Sequence, residues 1–345
     1  MSAFVRSIHL VAGILAAAVL AGASSAANLT IALSNDDGWS ADGIQALKQA
    51  LVDHGHTVVL VGPKGEQSGS SAVIDLLPPF LPPPAPPLQT LTVTKQNQAP
   101  GLFEFSVDSL FDPSNGAEPA TSAMIAVGIV REITLGGQPD LVLMGINDGA
   151  NVGAVTQISG TVGGTIHAIS SFANGLVPAI AISTDVPDDA TDPEQSAHFE
   201  QVADFVVDFL DHLQEGAGVL HAGDGLLPPG VGLNINYPPL APEAIQGVKL
   251  SVQGRVALIP QVGIPVPVSL LYGCAGACSA LPVGGQLAAG IIGANPNFEP
   301  DVANSDLTNF QAGYITVVPI EADYTAGKAT WAKFHPLVNT FRGNE

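Results

Sequence analysis

One arrangement near the amino terminus limits the fold more than any other. LTIAL (29–33) is a short apolar run. DGIQALKQALVDHG (42–55) follows it, with Ile44, Leu47 and Leu51 at helical spacing and Gly55 as a stop signal, and TVVLVGP (57–63) is a second, valine-rich apolar run. Strand, loop, helix and strand in so few residues is the βαβ unit of a parallel sheet, whose strands are buried on both faces. The loop LSNDDGWSADG (33–43) then lies at the carboxyl end of the first strand, where open α/β sheets bind ligands. Asp36 and Asp37 are adjacent there, and neighbouring carboxylates repel. The loop is either a solvated polar turn or a place built for a cation.

The pattern continues along the chain. EPATSAMIAVGIVREI (118–133) reads as a helix and PDLVLMGIN (139–147) as a third strand. SGTVGGTIHAISSFANG (159–175) is a helix and VPAIAIS (177–183) a fourth strand. EQSAHFEQVADFVVDFLDHLQEG (194–216) is the longest helix and GVGLNINYP (230–238) a fifth strand. Alternation in 88–96 and 102–109 suggests a hairpin extending from the core. A second hairpin is expected over 248–260, and a further strand within 312–325. Between Pro78 and Pro87 stand seven prolines, which exclude helix and central strand and imply a stiff extended insertion. The expected architecture is an α/β three-layer sandwich around a mostly parallel sheet.

At the amino terminus Arg6 precedes an apolar stretch over 10–23 and small residues up to Ala27. Residues 1–27 thus read as a signal peptide of a secreted or periplasmic protein, the alternative being an uncleaved anchor. Ten basic residues stand against 31 acidic ones, a net charge of −21. Such a field repels nucleic-acid polymers, and it hinders any anionic substrate unless a bound cation reverses the sign locally. Cys274 and Cys278 are either a small-loop disulfide or two free thiols.

Three strand ends deliver polar residues: NDDG at 35–38, KGEQSGSS at 64–71 and GINDGAN at 145–151. Asp36 and Asp37 offer carboxylates, Asn147 an amide oxygen and Ser68 a hydroxyl. An all-oxygen set suits Mg²⁺ or Mn²⁺, with Ca²⁺ another occupant, better than zinc. The next helix opens on Ser159, Gly160 and Thr161, where backbone N–H groups and hydroxyls make an anion site.

LSNDDGWSADGIQAL, GPKGEQSGSS, PDLVLMGINDGANVG and SGTVGGTIHA resemble the successive motifs of the SurE family, as do LNINYPPL and SDLTNFQAGYITVVPIEADYT. The resemblance implies a Rossmann-like domain over 28–326 with a projecting hairpin and a C-terminal exchange arm, assembled as a homodimer or homotetramer. Residues 76–120 would be an insertion, 250–300 an extension and 327–345 a tail. It implies a metal-dependent 5′/3′-nucleotidase acting on nucleoside monophosphates. Asp36, Asp37, Ser68 and Asn147 map onto the metal ligands, with Asp36 and Asp37 also the catalytic candidates. Ser159, Gly160 and Thr161 map onto the phosphate contacts, while Asn35 and Asn151 frame the pocket. Lys64 and Gln67 depart from the family pattern, which has an acid and a base at those places. An exported protein that binds a metal or nucleotide without turnover is the alternative function.

Overall fold

A computed structural model describes residues 27–75, 91–109, 116–170, 176–186, 190–220, 225–256, 264–266, 287–289 and 301–323, together with Ala332. Nearly all of the leader, the whole proline-rich stretch Pro78–Pro87, both cysteines and nearly all of the tail lie outside the described residues.

Among the described residues nine strands form one sheet. In chain order these are β1 (Thr30–Ser34), β2 (Thr57–Pro63), β3 (Val93–Ala99), β4 (Leu102–Val107), β5 (Leu141–Asp148), β6 (Ala179–Thr184), β7 (Val231–Tyr237), β8 (Val248–Leu250) and, after a separate two-stranded pair β9 (Ile264–Val266) and β10 (Leu287–Ala289), β11 (Ile315–Glu321). Their spatial order is β3-β4-β2-β1-β5-β6-β7-β11-β8. The run from β4 to β7 is parallel throughout, and β3 and β11 pair antiparallel to their neighbours β4 and β7. Helices α1 (Asp42–Asp53) and α4 (Asp192–Leu220) cover one face, and α2 (Pro119–Ile133) and α3 (Gly160–Ile169) cover the other. The Rossmann-like three-layer expectation holds.

Side-chain alternation along β1 shows why two helical layers are needed. Ile31 and Leu33 enter the cluster under α1 and α4 with Ile44, Leu47, Leu51, Phe199 and Val206, while Ala32 faces Ala123, Ala126 and Val130 of α2. Each fully buried leucine or isoleucine contributes about 1.5–3 kcal/mol relative to exposure, so neither face of this strand could be left to water.

One expectation changes in detail. The hairpin of β3 and β4 forms, but β4 pairs in parallel with β2, so the hairpin widens the main sheet and only β3 is wholly exposed. Of the 248–260 segment, residues 257–260 lie outside the described residues, and β8 at its start pairs in parallel with β11. A short helix, α5 (Asp306–Gln311), is an addition to the expected elements; it starts at Ser305, whose hydroxyl accepts the Thr308 N–H. Among the described residues no helix is long and apolar enough to cross a membrane.

At the end of α2, Leu135 is 97% exposed with φ +56°, and the Gly136 N–H closes back onto Arg131. A leucine gains nothing from burial there and bears the cost of the left-handed region, which asparagine tolerates better. Leu135→Asn is expected to stabilise the protein by about 0.5–1 kcal/mol, read as a raised denaturant midpoint at unchanged slope.

Candidate active site

The chain turns at the carboxyl end of β1. The Asn35 side-chain amide donates to the Gly38 carbonyl at 2.8 Å, and the Trp39 N–H donates to the Pro63 carbonyl at 2.8 Å, fastening this loop to the end of β2. The 64–71 loop then crosses over it, with the Gln67 N–H donating to the Asp36 carbonyl at 2.7 Å. The two acids face different neighbours. Asp36 is 2% exposed and accepts the Thr161 hydroxyl at 2.5 Å, so it points at the start of α3. The Oδ2 atom of Asp37 accepts the Asp148 N–H at 3.3 Å, at the end of β5.

Asn147 reaches the same place because β5 breaks register with β6 between Met144 and Asn147. Gly145 makes this possible: its φ is +124°, and a Cβ there would lie 2.2 Å from the Ile182 carbonyl oxygen. The Asn147 amide donates to the Gly149 carbonyl at 2.6 Å, whereas its Oδ1 is buried without a partner. Ser34 Oγ and Asn35 Oδ1 are likewise buried and unpartnered. Three orphaned oxygens beside two carboxylates are unusual, since buried polar atoms are nearly always satisfied.

The electrostatics point the same way. Burial, opposed by the Thr161 hydroxyl and reinforced by Glu66, pushes the Asp36 carboxyl up to about 6. Burial, then the charges of Asp36 and Glu66, pushes Asp37 up to about 8. Asp148 is raised too, by burial and then by Asp185 and Glu66. Carboxyl groups so placed ionise readily only beside a positive charge. Among the described residues no group of three or more His, Cys, Asp or Glu could hold a metal ion, so a cation here depends on neutral oxygens as well as carboxylates. Asp36, Asp37 and the free Asn147 Oδ1 are the hard donors a divalent cation takes, and the set fits.

The other expected residues are placed as follows. Ser68 is exposed on the rim, its N–H donating to Glu66 Oε1 at 2.7 Å. Ser159 caps α3, its hydroxyl accepting the Val162 N–H at 3.1 Å, and Gly160 lies against Asp36. Thr161 is turned to Asp36. Asn151 sits deeper: its N–H donates to Asn236 Oδ1, its amide donates to Ser183, and its carbonyl accepts from Asn234 and Thr156. Asn151 therefore ties the β5 loop to β6 and β7. Lys64 is paired with Asp108 at 3.6 Å.

Sequence reasoning missed Glu66 and Asp148, whose charges act on Asp37, and the buried polar floor of Ser183, Asn234 and Asn236. Two asparagines at alternate positions of the buried strand LNINY were the available signal, since unpaired amides do not survive inside a sheet.

Residues 31–258 match the family model described as survival protein SurE. The chain is 33% identical over 228 residues to the 5′-nucleotidase SurE of Desulfatibacillum aliphaticivorans, covering 66% of this chain and 73% of that one. It is 28% identical over 301 residues to the 5′-nucleotidase SurE of Haemophilus ducreyi, covering 87% and 97%. The crystal structure of SurE protein from Aquifex aeolicus superposes with a TM-score of 0.60 at 25% identity, covering 89% of this chain and 99% of that one. With the ordered motifs, the matched region and the shared fold in agreement, the chain belongs to the SurE family.

Proposed function

We propose that this chain hydrolyses nucleoside 5′- or 3′-monophosphates to nucleoside and phosphate with the help of Mg²⁺ or Mn²⁺. The observation that carries this reading is the pair of adjacent acids, Asp36 and Asp37, crowded at a strand end beside the orphaned Asn147 Oδ1. Relatives sharing this region are named 5′-nucleotidase SurE.

Asp36, Asp37, Asn147 and Ser68 would hold the cation, Ser68 from the rim of the loop. Once bound, a divalent ion supplies charge for the phosphoryl oxygens and acidifies a water molecule. The protein's own groups provide the rest. Thr161 fixes the rotamer of Asp36 through its hydroxyl, and Asp148 fixes Asp37 through its backbone N–H. Asp37, the less buried acid, orients the attacking water. Ser159 and Gly160 at the start of α3 direct hydroxyl and N–H dipoles at the equatorial oxygens of the phosphoryl group. Water adds to phosphorus, the ester P–O bond breaks, and the proton leaves with the nucleoside hydroxyl.

Phosphate release from AMP and from an aryl phosphate, with Mg²⁺ or Mn²⁺ and after chelation, tests this. The expected result is turnover that chelator abolishes and added metal restores. Metal binding seen as a thermal shift, with no phosphate released from any monoester, would overturn it. The leader further supports export, which cell fractionation of the full-length chain decides, and sedimentation decides whether the protein is a dimer or tetramer.

A further inference from the structure

We infer that the cavity at the carboxyl ends of β5, β6 and β7 receives the nucleobase, and that Asp185 selects bases presenting an exocyclic amino group. The inference rests on the nucleotidase reading and adds a substrate preference to it.

This cavity, of about 330 Å³, is walled by Val152, Val155, Leu240, Leu307 and Phe310, and Asp185 is the charged side chain on its lining. It belongs to the same end of the sheet as Asp37 and is joined to it by a short stretch of backbone. Asp148 donates its N–H to Asp37 Oδ2, and two residues on Ala150 donates its N–H to Asp185 Oδ1 at 2.6 Å. The 148–150 backbone thus touches both Asp37 and Asp185, and the inference lays the organic end of a monoester along it, with the phosphate at Asp36 and Asp37. The volume is at the small end of ligand pockets and suits one base rather than a polymer.

Charge decides which end of the substrate enters. Asp185 on the lining repels phosphate, so the cavity takes the uncharged, flat and partly apolar end. A carboxylate is an acceptor only. With one oxygen of Asp185 held by Ala150, the carboxylate has acceptor capacity left for a ligand N–H. An amino group on adenine or cytosine satisfies it, whereas the carbonyl of hypoxanthine or uracil at the same ring position opposes it.

The test uses isosteric pairs. Values of kcat/KM for AMP against IMP, and CMP against UMP, are measured on the full chain with Mn²⁺, alongside 4-nitrophenyl phosphate as a base-free reference. The amino-bearing member is expected to exceed its partner by about tenfold. Asp185→Asn keeps an acceptor for Ala150 and adds a donor, and is expected to erase or invert both ratios. Val155→Phe, at a half-buried position, fills the cavity and lowers nucleotide kcat/KM about tenfold more than that of the aryl phosphate. Calorimetric titration of adenosine against inosine reads the same preference without turnover. Ratios near one that Asp185→Asn does not move, with equal nucleoside affinities, would overturn the inference. Failure to cleave even the aryl phosphate would overturn the nucleotidase reading instead, and the nucleoside titration would still decide the cavity.

Discussion

Replacing Asp37 with asparagine lowers metal-dependent phosphate release about 10³-fold or more and, in the same protein, raises the melting temperature of the metal-free form at pH 8. Both outcomes follow from one arrangement. Asparagine keeps an oxygen for the Asp148 N–H, so the loop is undisturbed, but it cannot supply negative charge to a cation. In the metal-free fold burial, then the charges of Asp36 and Glu66, push the Asp37 carboxyl up to about 8, against 3.8 for the free group. Below about pH 4 both folded and unfolded chains hold this proton and the group costs nothing. As pH rises from there to about 8 the unfolded chain ionises freely while the folded one does not, so stability is progressively lost and then stays lost. The variant escapes that loss, a gain of roughly 2–4 kcal/mol at pH 8 after allowing for the part of the carboxyl that reaches water. Added Mn²⁺ reverses the ranking, because a cation that binds only the folded wild type stabilises it by mass action. Thermal melts at pH 5 and pH 8, with chelator and with Mn²⁺, read all of this. A wild-type curve that does not change with pH, or a variant that keeps its metal-dependent rate, would remove Asp37 from the site.

The parallel core was legible because its strands are buried on both faces and therefore written as unbroken apolar runs. TVVLVGP is β2 itself, and LTIAL and VPAIAIS overlap β1 and β6, each of which runs one residue further. Helix α4 was legible because Phe199, Val202, Val206 and Leu213 repeat at helical spacing along a face that the sheet buries. Edges were harder. β8 has three residues, two of them exposed, so its pattern says nothing about whether it pairs with its chain neighbour or, as observed, with β11 some 65 residues on. α5 is six residues long, too short for a periodicity to show, and its one signal was the Ser305 cap. At the site, Asp36, Asp37 and Asn147 were visible because each stands at or just past the end of an apolar run, and Ser68 because its loop follows a third such run. The charges that tune them were not: Glu66 looks like any loop glutamate until the 64–71 loop is folded back over Asp36 by the Gln67 hydrogen bond. Asn151, expected to frame the pocket, sends its backbone N–H and side-chain amide into the floor, to Asn236 and Ser183, a placement that its position in the sequence does not show.

Gly160→Ala is expected to lower hydrolysis about 10²-fold while the protein still folds, although propensity alone forecasts a benefit. Alanine in place of glycine inside a helix ordinarily gains about 0.5–1 kcal/mol. Gly128 in α2 obeys that rule, since a Cβ there meets nothing within 4 Å, and Gly128→Ala serves as the stabilised control. At Gly160 the added carbon would stand 2.8 Å from Asp36 Oδ2, 2.9 Å from Pro119 Cγ and 3.0 Å from Asp36 Cβ. The Asp36 carboxylate must move by a few tenths of an ångström, and the 2.5 Å bond from Thr161 that fixes its rotamer must lengthen or turn. Placement errors of that order cost rate steeply where a group has to face a phosphoryl oxygen and a cation at once. Stability falls by about 1–2 kcal/mol, the overpacking cost, partly offset by helix propensity. Circular dichroism, melting and phosphate release on both alanine variants separate the two effects. Wild-type turnover in Gly160→Ala would mean that Asp36 is not held against α3 for catalysis, and that the start of this helix serves the fold alone.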